Sequence, residues 1–215
     1  MDLMQAISFP FDDRDWVSKT AVGALMMVLG IVLPFIPMGY QLYVTREVMR
    51  GHSRPLPGAS DLGVTLSEGL IAFVAGLIYA LPVLVLSCCL AVAGLVLGSS
   101  DMGSLLMLCL SLCLGTLALV YGVLAGALFL VGTIRYAQEG DFVAFLRFGE
   151  LWEQARAHSD VLIELVIYLV VLWVIGSVAV TLLMITIIGV PVALFFLSVA
   201  SGHLIGQAGR AMARA

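Results

Sequence analysis

GYQLYVTREVMRGHSRPLPGASDLGVTLSEGLIAFVAGLIY, residues 39–79, holds the end of one apolar helix, a turn and the start of another. The first helix runs out at Arg46, the chain breaks at Gly51, Pro55 and Pro57, and a second apolar helix begins near Ser67. Glycine favours the left-handed residue that closes a helix, and proline lacks the N–H needed to continue one. Two apolar helices joined by a turn that carries arginines make a membrane hairpin, and the chain on either side extends that pattern.

Hydrophobic residues make up 62% of the 215 residues and charged residues 11%, whereas soluble domains carry about 25% charged residues. So few charges cannot coat a surface that faces water. Charge-free intervals cover residues 20–45, 69–100, 102–134 and 165–209. About 20 helical residues cross about 30 Å of hydrocarbon. The first three intervals therefore hold one span each, and the last holds two, divided at Ile188-Gly189-Val190-Pro191. The expected fold is an all-α, polytopic transmembrane bundle that forms a single membrane domain over residues 1–215. Its five spans are placed at about 18–44, 67–97, 104–134, 161–187 and 190–209. Residues 1–16 read as an interfacial segment, with Phe9, Phe11 and Trp16 at headgroup level among acids. The acidic leader is not expected to act as a signal peptide.

Alternation of five spans gathers Arg46, Arg50, Arg54, Arg135, Arg147, Arg156, Arg210 and Arg214 on one side, against Arg14 and Lys19 on the other. The positive-inside bias then predicts a multi-pass protein of the inner or plasma membrane. Loops 45–66 and 135–160 and the C-terminus are cytoplasmic in that reading, and the N-terminus is outside. Pro34 and Pro37 mark the alternative, in which the first span folds back as a re-entrant hairpin and brings the N-terminus inside.

Several residues are candidates for function. Arg46, Arg50 and Arg54 are placed to meet anionic lipid headgroups. Glu164 and His203 are ionisable residues within spans. Gly94 and Gly98, Gly122 and Gly126, and Gly202 and Gly206 are spaced for close helix packing. The amphipathic stretch around Phe142, Phe145, Leu146 and Trp152 suggests a helix on the membrane surface. Cys88, Cys89, Cys109 and Cys113 fall in one leaflet and read as small hydrophobes, without ligand spacing for a metal.

A shift of the chain onto itself places Arg46 on Arg135, Gly51 on Gly140, Asp61 on Glu150 and Ile78-Tyr79 on Ile167-Tyr168. This is read as a parallel duplication of a two-span unit, with the fifth span appended.

FPFDDRDWVSKTAVGAL (9–25), PMGYQLYVTREVMRGHSRPLPGASDLGVTLSEGL (37–70), LIYALP (77–82), RYAQEGDFVAFLRFGELW (135–152) and SGHLIGQAGR (201–210) together resemble domain-of-unknown-function family 4013, prokaryotic polytopic membrane proteins. The order GY, R, G, LP, D, G carries most of the resemblance. The chain departs from it in GASDLG, which lacks an aromatic residue near the aspartate. The resemblance implies an inner-membrane protein and supplies no catalytic residues.

No HExxH, P-loop, GxSxG or GxGxxG motif is present, so no enzyme activity and no cofactor are expected. The single lysine and the net charge of −4 argue against nucleic acid as a partner. The expected function is that of a structural or assembly protein that self-associates among membrane lipids. The alternative is a small transporter or channel for a lipid or small solute.

Overall fold

The computed structural model describes residues 1–52, 56–97, 101–186 and 188–214. The described residues are helical throughout, with no strand. Eight α-helices follow in order: α1 (Leu3–Ser8), α2 (Trp16–Gly30), α3 (Phe35–Arg50), α4 (Leu62–Leu97), α5 (Asp101–Glu139), α6 (Phe148–Ala157), α7 (Ser159–Leu183) and α8 (Gly189–Met212). Four of them, α4, α5, α7 and α8, are long and apolar enough to cross a membrane, and α2 is a shorter apolar helix. The polytopic bundle expected from the charge-free intervals is therefore present. The last interval divides as anticipated, with Pro191 in the first turn of α8, where a missing N–H breaks no helical hydrogen bond.

α8 is the centre. Most of its second half is buried, and α1, α2, α3, α5 and α7 all pack on it. Gly202 lies against the backbone of Gln41, Gly206 against Thr45 and Val48, and Gly209 against Met49. These contacts advance together along both chains, so α3 and α8 run in the same direction. On its other side α3 meets α4 where Gly39 touches Thr65 and Gly69, and Gly69 touches Phe35. Those contacts run in opposite order, so α4 is antiparallel to α3.

The first span differs from the sequence reading. It is broken into α2 and α3 by a turn at residues 31–34, and the apolar apex residues Ile31 and Val32 are largely exposed. With 15 residues, α2 is about 22 Å long, short of the roughly 30 Å hydrocarbon core. The start of α2 and the end of α3 lie at the same end of the bundle. Lys19 Nζ donates to the Leu56 carbonyl at 2.9 Å and to Asp13 at 2.7 Å. Upstream, Phe9 stacks on His203 at 4.6 Å, and the Asp2 N–H donates to Gln207 Oε1 at 2.7 Å. The N-terminus thus shares one end, called here the loop end, with both long loops and the C-terminus. Both termini sit at one end of the bundle, the geometry of the re-entrant alternative, whereas five alternating spans set them at opposite ends. Proline is the physical reason: Pro34 and Pro37 cannot supply the N–H groups that would carry α2 straight on.

The duplication is not seen. It requires α3 with α4 to match α5 with α7, yet α3 lies directly on α4 while α5 and α7 share no comparable face. The surface helix also differs. Phe145 sits in a 3-10 turn (Phe142–Phe145), fully buried against Phe129 and Tyr136, and only α6 lies outside the bundle with Trp152 exposed.

Two outcomes follow from this architecture. Topology reporters fused separately to the two termini will report the same side of the membrane; opposite sides would refute the hairpin. A Cβ at Gly39 meets backbone of α4, which cannot rotate away, so Gly39→Ala is expected to destabilise by about 1–3 kcal/mol. Gly149→Ala, away from the hairpin, enters open space and is expected to stay within about 0.5 kcal/mol. Unfolding in mixed micelles measures both.

Candidate functional site

Polar chemistry concentrates at the loop end, where α3, α4, α5 and α8 converge. The close α3–α4 crossing brings Arg46 of α3 onto Glu68 of α4 as an ion pair, with side chains 16% and 5% exposed. The Arg46 guanidinium also lies over the Tyr136 ring of α5, 5.6 Å from its centroid. One carboxylate oxygen, Glu68 Oε2, is buried with no hydrogen-bond partner among the described residues. A charge held away from water is tolerated only when paired, so each member of this pair requires the other.

Beside it lies a cleft of about 520 Å³, walled by the last turns of α3, α5 and α8 and lined by Arg50, Gly51, Gln138, Arg210 and Arg214 among others. Gly51 closes α3 at φ +88°, in the left-handed region that favours glycine. The terminal carbonyls of α3 are capped: the Gly51 N–H donates to Val48 at 3.0 Å and the His52 N–H to Glu47 at 3.1 Å. Arg210 Nε also donates to the Val48 carbonyl, tying α8 to α3. Arg50 reaches Glu47 at 3.1 Å. Neither Arg210 nor Arg214 has a carboxylate partner among the described residues.

A second polar group closes the bundle on the α7–α8 side. The N-terminal amine lies 2.8 Å from Glu164 Oε1. Gln207 Nε2 donates to the Asp2 carbonyl and lies 3.0 Å from His203 Nδ1.

The sequence candidates divide accordingly. Arg46 pairs with the buried Glu68 and Arg50 lines the cleft, while Arg54 lies outside the described residues. Glu164 and His203 are brought near one another through the N-terminal segment and Gln207, and neither lines the cleft. Gly202 lies against Gln41, and Gly206 against Thr45 and Val48. Gly122 and Gly126 meet nothing within 4 Å in their own chain, and Gly94 meets only the flexible end of Met107; Gly98 lies outside the described residues. The cysteines are free and exposed on α4 and α5.

Glu68, Arg210 and Arg214 were missed. Glu68 sits one residue outside a charge-free interval and so reads as loop. Arg210 and Arg214 are four apart, on one face of the chain end, and that spacing was the available signal.

The Arg46–Glu68 pair is open to a double-mutant cycle. Arg46→Ala alone is expected to cost about 3–5 kcal/mol, because Glu68 is left buried and uncompensated. The Arg46→Ala/Glu68→Ala chain is expected to be more stable than Arg46→Ala, with a coupling of about 1–3 kcal/mol in detergent unfolding. Strict additivity would show that the pair does not act as a unit.

Comparison with known families agrees with this architecture. Residues 22–190 match the model of the family described as "Protein of unknown function (DUF4013)", a family associated with polytopic membrane proteins, and the chain belongs to it. No curated protein and no solved structure matches the chain.

Proposed function

We propose that the protein is a structural scaffold of the inner or plasma membrane that associates with further copies of itself through the α4–α5 hairpin, without catalytic activity. One observation carries this reading. Beyond Tyr79 on α4 and before Ala125 on α5, no described residue is buried. The hairpin leaves the bundle at a defined base. Tyr79 OH donates to the Phe145 carbonyl at 2.7 Å, and Tyr121 OH to the Tyr79 carbonyl at 2.8 Å. Pro82 follows within α4 and removes a helical hydrogen bond there. Past that base, Gly115 and Gly122 face open space, and small residues on a helix surface let a second backbone approach closely in hydrocarbon.

A conduit for a lipid or small solute has less support. Glu164 is engaged by the N-terminal amine and His203 is covered by Phe9. Where α3, α4, α5 and α8 meet, the cavity beside Phe129 and Thr133 is about 30 Å³, room for about one water. Lys19, Arg46, Arg50, Arg135, Arg147, Arg156, Arg210 and Arg214 gather at the loop end, so the positive-inside bias supports a cytoplasmic side for both termini and both long loops.

The native cysteines supply the test. Cys88, Cys89, Cys109 and Cys113 are exposed on the hairpin, so oxidation in native membranes is expected to give a covalent dimer that is lost when all four become serine. Native mass spectrometry in mild detergent is expected to show the same dimer uncrosslinked. Monomer alone in both measurements would sink the scaffold reading.

A further inference from the structure

The cleft between the last turns of α3, α5 and α8 has chemistry that self-association does not use. Three arginines line it: Arg50 from α3, and Arg210 and Arg214 from the end of α8 and the residues just after it. They come from parts of the chain about 160 residues apart, brought together by the Gly202 and Gly206 contacts of α8 on α3. Arginines at helix ends often do no more than cap carbonyls. Here the carbonyls at the end of α3 are already capped by Gly51 and His52, and Arg210 spends only its Nε on Val48. One carboxylate, Glu47, pairs within reach of Arg50 and is shared with His52 at 2.5 Å. Arg210 and Arg214 have no acid opposite them among the described residues.

The position of the cleft adds to its charge. The charge-free stretches of α5 and α8 end there, at Arg135 and Arg210, and charge resumes where apolar spans leave hydrocarbon for headgroups. The floor mixes those guanidinium groups with Met49, Ala137 and Ala213, so a headgroup and the first carbons of its chains both find matching surface. Arginine suits the anion because its planar fork donates two parallel hydrogen bonds to phosphate oxygens.

We propose that this cleft binds the phosphodiester of an anionic membrane phospholipid, with Arg50, Arg210 and Arg214 as its donors. The site holds whether or not hairpins of neighbouring copies meet, since none of its residues lies on α4 or on the outer part of α5. It also differs from general attraction of the loop end to an acidic surface, because Arg147 and Arg156 share that end without lining the cleft.

The test titrates phosphatidylglycerol, and separately phosphatidylcholine, into the full-length protein in detergent and reads bound lipid by native mass spectrometry. The Arg50→Gln/Arg214→Gln chain changes two exposed side chains and leaves the Arg210 tie to α3 intact. It is compared with Arg147→Gln/Arg156→Gln, which removes equal charge elsewhere at the loop end. The expected result is a preference for phosphatidylglycerol that falls about 25-fold in the first variant, at about fivefold for each arginine, and is kept in the second. Equal loss in both variants, or no preference between the lipids, overturns the site. A parallel arm adds inorganic phosphate: saturable phosphate binding without a lipid preference would assign the cleft to the free anion and overturn the lipid assignment.

Discussion

In hydrocarbon, an apolar helix gains little from meeting another apolar helix, because lipid tails are as good a solvent as leucine. A bundle in a membrane therefore depends on how closely backbones approach. Here that approach is made at Gly39 and Gly69 between α3 and α4, and at Gly202 and Gly206 between α8 and α3. Two of the polar groupings at the loop end follow from those contacts. Only when α3 lies this close to α4 does Arg46 reach Glu68. Only when α8 lies this close to α3 does Arg210 reach the Val48 carbonyl and bring Arg214 beside Arg50. α3, too polar to hold a place in the membrane by itself, is wedged between the two.

The spans were legible because hydrocarbon excludes charge, and charge-free intervals can be read directly. The fate of the first interval was not. Residues 20–45 are long enough for one kinked crossing or for a hairpin, and Pro34 with Pro37 is compatible with both. The contacts that decide it, Lys19 with Leu56 and Phe9 with His203, join residues far apart in the chain. The glycines show a similar limit. Gly122 and Gly126 have the same spacing as Gly202 and Gly206, yet one pair faces open space and the other a backbone. Spacing says which residues share a helix face and nothing about what faces them. Among the polar candidates, Arg50 was legible from loop charge. Glu68 was not, because burial by a neighbouring helix leaves no local mark on a residue at a loop boundary.

The re-entrant hairpin simplifies the charge distribution. Five alternating spans leave Lys19 opposite most other basic residues, whereas the α2–α3 turn brings it to the loop end, where it meets the Leu56 carbonyl. The internal matches also find a different cause. Among the described residues, Gly51 and Gly140 are the glycines with positive φ, closing α3 and α5. Arg46 and Arg135 sit one turn before those ends, and each pairs with a glutamate farther along, Glu68 and Glu150. Two helices leaving the membrane at the same end face the same problem of stopping and anchoring. They meet it with the same residues, and the matches arise without a shared two-helix arrangement.

The α4–α5 hairpin poses a problem that the bundle alone does not solve. α7 and α8 have 25 and 24 residues, about 36–38 Å each, a fair match to a tilted crossing. α5 has 39 residues, and its charge-free part from 102 to 134 is about 50 Å long. Fitting that length into about 30 Å of hydrocarbon requires a tilt near 50°, beyond the usual range of about 0–40°. Snorkelling cannot shorten it, since no lysine or arginine lies at the far end. A helix pair so inclined leans away from its own bundle, as the absence of buried residues beyond Tyr79 and before Ala125 indicates, and bares its flank to whatever lies alongside. Lipid can solvate that flank but does little to hold a steep tilt, because tilt in membranes is set by packing against neighbouring helices and by interfacial anchors. A second copy presenting the same inclined hairpin supplies such a neighbour, and a two-fold axis lets each hairpin brace the other. Hydrophobic length thus supports the proposed self-association on a physical constraint separate from the open glycine faces.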